Sequence, residues 1–146
     1  MDNRLAIILA LLAIALIAGS IWKTRSGRAK LVRSGEMVDL GKLGATKGGK
    51  SVTSFGKRAT LLQFSTEVCS VCVHTAGLYR EFEKNTPGLK HIEVDITDRM
   101  DLAAHFSVMQ TPTTLILDRT GRVRARIGGA PKPNVVIDEI NKLEKK

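Results

Sequence analysis

Cysteine, acidic residues and charge of any sign are each scarce over long parts of this chain, and each scarcity removes a class of function. Only two cysteines occur in 146 residues, Cys69 and Cys72. A structural zinc site needs four ligands. No second Cys-x-x-Cys and no His-x-x-x-His completes a set, and His74 is the only nearby histidine. A purely structural crosslink is a poor reading, because a bridge over so short a loop removes little chain entropy. Two inert core cysteines would not need this spacing. A redox couple is the favoured reading, with a metal site and an inert pair as its alternatives.

Charge is missing from Leu5 to Trp22, where only Gly19 and Ser20 dilute an 18-residue apolar run. As a helix that run reaches roughly 27 Å, close to the hydrocarbon thickness of a bilayer. Trp22 stands where an interfacial aromatic belongs. A cleaved export signal has a shorter apolar core, about 7–15 residues, ending in small-x-small. Ala13-Ile14-Ala15 has that form but lies inside the run, and no cysteine directly follows it for lipid attachment. The expectation is a short tail at 1–4 and an uncleaved single-pass anchor in membrane lipid at 5–22.

Acidic residues nearly vanish between residues 23 and 58. Ten Lys/Arg stand there against Glu36 and Asp39, whereas residues 59–146 almost balance. Nearly all of the formal +9 therefore belongs to the segment after the apolar run. A nucleic-acid domain would carry a basic face with aromatic or groove-reading elements. This run is glycine-rich and holds one aromatic, Phe55, so nucleic acid is not an expected partner. Anionic lipid is an apter one, at about 1 kcal/mol per basic residue near the surface. Lys and Arg are retained on the cytoplasmic side. Lys23, Arg25, Arg28, Lys30 and Arg33 thus predict a cytoplasmic domain, with an extracytoplasmic one as the alternative.

Glycines at 27, 35, 41, 44, 48, 49 and 56 make long elements unexpected in residues 23–57. That segment reads as a basic tether and lead-in, with Val38–Leu40 or Ser51–Thr53 as a short edge strand. A domain follows over 58–146. Thr60–Phe64 reads as a strand buried on both faces. Cys69–Lys84 has helical period, with Val71, Leu78 and Phe82 on one face and Cys72 and Tyr79 beside it. Leu89–Ile96 alternates as a strand, and Arg99–Phe106 reads as a short helix. Thr113–Leu117 and Arg122–Ile127 are strands joined by a tight turn. Asn134 is the expected cap of a last helix to about Glu144, with Val135, Ile137, Ile140 and Leu143 facing the core. The first three strands are expected parallel, the last pair antiparallel.

The Cys-x-x-Cys follows directly on a buried strand and opens a helix, and that context matters more than the spacing. Residues i and i+3 of a first helical turn share a face, so their sulfurs can reach bonding distance. Cys69, at the helix start, gains thiolate stability from unpaired N–H groups and the positive dipole end. Cys72, one turn in, is the less exposed. Cys69 is therefore the expected nucleophile and Cys72 the resolving thiol. Glu67 could modulate Cys69 or simply be solvated. Gly128-Gly129 could admit a substrate backbone, since glycine has no side chain. Arg122, Arg124 and Arg126 read as a solvated strand face.

The segments "LLQFSTEVCSVC", "EVDI", "FSVMQTPTTLILDRTGRV" and "IGGAPKP" resemble, in order, the thioredoxin family, and most of all its membrane-anchored bacterial members. The resemblance spans roughly Ala59 to Lys146. It implies a thioredoxin-like α/β fold, a central mixed sheet with helices on both faces. It implies a cis Pro112 facing the cysteines, with the Thr111 backbone pairing to an extended substrate beside Cys69 and the Gly128 loop bordering the groove. It implies protein thiols and disulfides as partners, an external electron donor or acceptor, and no bound cofactor beyond the Cys69–Cys72 disulfide. The chain departs from the family at Gln63, where a buried aspartate is usual, and near His91, where that aspartate's lysine partner usually lies. Gln63 takes no proton; a histidine at 91 could titrate near neutral pH and do part of that work, with a half-exposed strand histidine as the favoured plain reading. Ser65 and Val68 replace the usual flanking tryptophans. The rival readings are a non-catalytic binding module on the same fold and a metal-handling or maturation factor for one client protein.

Overall fold

The computed structural model describes residues 3–32 and 35–145; Met1 and Asp2 of the expected tail, Arg33 and Lys146 lie outside the described residues. The chain opens with a helix, α1 (Asn3–Arg25), none of whose residues is buried against protein. A short strand, β1 (Ala29–Leu31), a one-turn helix, α2 (Leu40–Leu43), and a hairpin, β2 (Thr46–Lys47) and β3 (Lys50–Ser51), come next. The remaining elements are β4 (Ala59–Ser65), α3 (Ser70–Asn85), β5 (Leu89–Asp95), α4 (Met100–His105), β6 (Thr113–Asp118), β7 (Val123–Gly128) and α5 (Pro133–Glu144).

Seven strands form one sheet in the order β1-β7-β6-β4-β5-β2-β3. β4 is central, and Ala59 to Phe64 are all buried, as a mostly apolar strand covered on both faces requires. Its alternate side chains feed two cores. Leu62 and Phe64 pack with Ile92, Val94, Leu102, Phe106 and the α2 residues Leu40 and Leu43. Ala59 and Leu61 pack on the other face with Tyr79, Ile116, Val136 and Ile140. Helices thus cover both faces, and the fold is the expected thioredoxin-like α/β arrangement.

Several local expectations are corrected. The basic tether and lead-in is part of the sheet in its described residues: β1 pairs with β7 after a three-residue link from α1, and β2 pairs with β5 on the opposite side. Of the two edge-strand candidates, Ser51–Thr53 is met in part by the edge strand β3, which ends at Ser51, and Val38–Leu40 is no strand. Asp39 Oδ1 accepts from the N–H groups of Gly41 and Lys42, and Gly44 takes φ 64°, so the segment closes as one capped turn. The Gly48-Gly49 pair, both at positive φ, makes the two-residue hairpin between β2 and β3. β5 is parallel to β4, but β6 is antiparallel to it. A parallel return needs a helix as long as the strand. Six-residue α4 rises only about 9 Å, whereas a seven-residue strand runs about 23 Å, so the chain enters β6 from the same end it left β5.

Helix faces also shift. In α3 the buried set is Cys72, Thr75, Ala76 and Tyr79, while Val71 is exposed. Lys132, not Asn134, occupies the cap position of α5, and Pro133 supplies the first turn with a preset φ and no orphan N–H. Val136 and Ile140 are buried there, Val135 and Leu143 half-buried, and Ile137 stays 43% exposed. Ile140→Ala is expected to cost about 2–4 kcal/mol by cavity formation, and Ile137→Ala no more than about 0.5 kcal/mol. Denaturant unfolding of the full chain in detergent measures both.

Candidate active site

β4 delivers the chain to the edge of the core, where Thr66 to Val68 turn it into α3. Cys69 is the N-cap of that helix, with extended backbone (φ −95°, ψ 94°). Its Sγ accepts from the Cys72 N–H at 3.1 Å, and its carbonyl accepts from the same N–H at 3.1 Å. A helix start has more backbone donors than internal acceptors, and here a sulfur takes one. The two cysteines are joined as a disulfide, with Cα atoms 5.2 Å apart. Cys69 is half-buried and Cys72 only 4% exposed. That asymmetry lets an outside sulfur meet Cys69 and not Cys72.

The Thr111–Pro112 peptide is cis, and Pro112 is buried beside β6. Thr111 Oγ1 lies 3.4 Å from Thr66 Oγ1, which brings the proline loop against the turn before Cys69. The Gly129 N–H donates to the Pro112 carbonyl at 2.8 Å, so the Gly128-Gly129 corner closes the third side. Gly128 is not open ground, however. Its carbonyl accepts from the Gly27 N–H at 3.0 Å, and the Gln110 side chain fills the space a Cβ would need. A substrate backbone reaches Gly128 only if Gln110 swings aside. Thr66 and Gln110 carried no signal in the sequence, because each acts through a contact made across the fold.

Beneath the cysteines lies a neutral network. Gln63 is fully buried. Its Nε2 donates to the Cys72 carbonyl at 2.9 Å and to Ser65 Oγ at 3.1 Å. Its Oε1 is therefore the acceptor for His91 Nε2, 2.9 Å away, and His91 carries its proton on Nε2. His91 is 4% exposed and meets the Tyr79 ring edge-on. Burial pushes its pKa down to about 4, against a weaker upward pull from Glu83 and downward ones from Arg80 and Lys47. The expectation that His91 titrates near neutral pH is corrected: the imidazole stays neutral through the physiological range because the cation would lose its water. Tyr79 donates to Thr114 Oγ1 at 2.9 Å, and burial pushes its phenol up.

Glu67, the other two histidines and the β7 arginines fall outside this cluster. The Glu67 side chain is exposed, and its backbone N–H donates to Thr97 Oγ1. His74 is exposed on α3, and His105 Nε2 pairs with Glu36 at 2.7 Å. Arg126 is not a solvated residue: its guanidinium reaches the Phe106 and Ser107 carbonyls. Among the described residues, no cluster of three or more His, Cys, Asp or Glu side chains is placed to hold a metal ion.

A half-buried sulfur capping a helix, a buried partner one turn on and a cis-proline loop alongside define a thiol–disulfide oxidoreductase site. Comparison with known proteins agrees. Residues 49–142 match the Thioredoxin family, and the chain belongs to that family. It is 28% identical over 111 residues to Thioredoxin H4-2 of Oryza sativa subsp. japonica, covering 76% of this chain and 77% of that one. Its fold is similar to a malaria parasite thioredoxin-2 (TM-score 0.53, 23% identity, 62% of this chain and 88% of that one). It is also similar to oxidised mitochondrial thioredoxin 3 of Saccharomyces cerevisiae (TM-score 0.51, 19% identity, 59% and 79%). Family membership supports protein thiols and disulfides as the substrate class.

The depressed His91 pKa sets a sign. Unfolded chains take up a proton near pH 6.5 that the folded protein refuses until about pH 4. Stability from this residue is complete above pH 6.5 and is lost as pH falls through that window. Unfolding measured from pH 7 to 4 should therefore steepen in the wild-type chain relative to His91→Gln, and equal slopes would refute the assignment.

Proposed function

We propose that this chain is a single-pass, membrane-anchored reductant of protein disulfides, with its domain in the cytoplasm. The observation that carries the reading is the unequal exposure of two sulfurs bonded across the first turn of α3. In the reduced protein the Cys69 thiolate attacks one sulfur of a client disulfide. A mixed disulfide forms and the first client thiolate leaves, taking a proton. Cys72 then attacks Cys69 Sγ and the second client thiol leaves. Two electrons pass to the client, and the Cys69–Cys72 disulfide remains. An external dithiol returns it to the reduced state, so no bound cofactor is needed. Thr111 and Pro112 are the platform along which an extended client segment lies.

Residues 5–22 supply the anchor in this reading. α1 is long and apolar enough to cross a bilayer, and an export signal shares those features. The basic residues that follow it favour retention of the domain in the cytoplasm. A cytoplasmic compartment keeps thiols reduced, which sets the direction of electron flow.

Cys72→Ser should accumulate mixed disulfides through Cys69, visible as mass-shifted adducts that a reductant releases. Cys69→Ser should accumulate none and turn over no substrate. A wild-type pair that never cycles between two alkylatable thiols and one bridge refutes the enzyme and leaves a binding module. Protease digestion of the domain in inverted vesicles but not in intact cells is expected for the cytoplasmic placement; digestion in intact cells reverses it.

A further inference from the structure

The end of the sheet that holds the cysteines is also the end from which α1 departs. Phe64, the penultimate residue of β4, pairs with Thr113, and Thr113 pairs with Gly128 at the end of β7. Ser65 pairs with Asp95, so β5 ends there too. The Gly128 carbonyl is held by the Gly27 N–H, two residues beyond the last residue of α1. The link has little slack. The Ser26 N–H still bonds to the Trp22 carbonyl, and Ala29 is already paired with Ile127. From Trp22, three more helical residues rise about 5 Å, and two linker residues reach at most roughly 7 Å. A bilayer span ending at Trp22 therefore keeps the Gly128 corner within about 12 Å of the lipid–water boundary. The opposite end of the sheet lies about 20 Å from that corner, measured along the strands.

Exposed side chains on that end suit such a boundary. Val68 is 95% exposed, Met109 92% and Met100 74%. Val68 and Met100 follow strands that end at the cysteine end of the sheet, and Met109 precedes the strand that begins there. A cleft of about 340 Å³ opens between the end of α1 and the segment before Pro112, and Trp22, Arg25, Arg28, Lys30 and Arg126 line it. Met109 lines the same cleft as those cations, and that pairing matches a surface whose headgroups are anionic and whose next layer is hydrocarbon; Val68 and Met100 stand beside the acidic Glu67 and Asp101.

We propose that the Cys69 end of the domain is held at the bilayer surface and that its clients are disulfides in the juxtamembrane segments of other membrane proteins. The proposal rests on the oxidoreductase reading above and keeps its chemistry: Cys69 attacks, Cys72 resolves, and two electrons pass to the client. What it adds is height. A disulfide close to the lipid meets Cys69 at high effective concentration, and one carried well above the surface does not.

The test uses the full chain in vesicles of phosphatidylcholine and phosphatidylglycerol, reduced beforehand with a dithiol and followed for a single turnover. Three substrates are compared. Two are single-span peptides with a disulfide either at the interface or raised about 30 Å by a helical spacer of about 20 residues; the third is a small soluble disulfide. The interfacial disulfide should be reduced at least about tenfold faster than the raised one. About 20 Gly/Ser residues inserted between Arg25 and Ser26 should abolish that preference while leaving the soluble rate unchanged. Equal rates on the two peptides, or a preference that survives the insertion, overturn the proposal and leave the oxidoreductase reading standing if the soluble disulfide is reduced. Reduction of none of the three overturns both.

Discussion

A helix that starts in mid-protein presents more backbone N–H groups than internal acceptors, and in α3 the Cys72 N–H is shared between the carbonyl and the sulfur of Cys69. That one contact ties chemistry to fold. The sulfur is held where the helix dipole favours a thiolate, and one turn later the helix carries Cys72 into the core. Moving Cys69 one residue either way would lose the cap and the shared face together. The rest of the structure brings this turn to a fixed place: β4 runs through the centre of the sheet, and both cores hold it there.

Gln63 secures the turn from below. Its amide bonds the Cys72 carbonyl on one side and the His91 ring on the other. Thioredoxins usually place an aspartate here, which can exchange a proton with the buried thiol. An amide cannot, and the neighbouring imidazole is kept neutral by its own burial. The network therefore has no member that titrates between pH 5 and 9 to couple with Cys72. Proton traffic at the resolving sulfur has to pass through solvent or the substrate. The gain is a fully satisfied buried polar network with no buried charge to desolvate.

What could be read from residues alone was whatever depends on near neighbours in the chain. The buried run Thr60–Phe64, the Cys-x-x-Cys at a strand–helix junction and the alternation from Leu89 all announce themselves within ten residues. β1 did not, because three residues at a sheet edge carry no period, and Leu31 is mostly exposed. The direction of β6 is hidden for a related reason. Alternating strands and helices imply parallel crossovers, and only the shortness of α4 shows that the chain does not travel back. In α3 the buried face runs through Cys72, Thr75, Ala76 and Tyr79, and because Thr75 is polar the apolar side chains alone place the stripe too far toward Val71. Thr66 and Gln110 were invisible, since their roles come from contacts closed by tertiary structure.

The basic segment shows how the same residues acquire different work once placed. As a stretch of sequence its charge looked uniform. In the fold it divides between the two edges of the sheet, with β1 beside β7 and the β2–β3 hairpin beside β5. An edge strand offers unpaired backbone groups to any passing chain, and lysine is a common deterrent. Lys30 stands on one edge, and Lys47 and Lys50 face each other on the other. Lys23, Arg25 and Arg28 remain at the cysteine end with α1. One run of cations therefore guards two sheet edges and dresses the face nearest the apolar helix. A single count of net charge treats the run as one patch; the fold leaves only its first part beside α1.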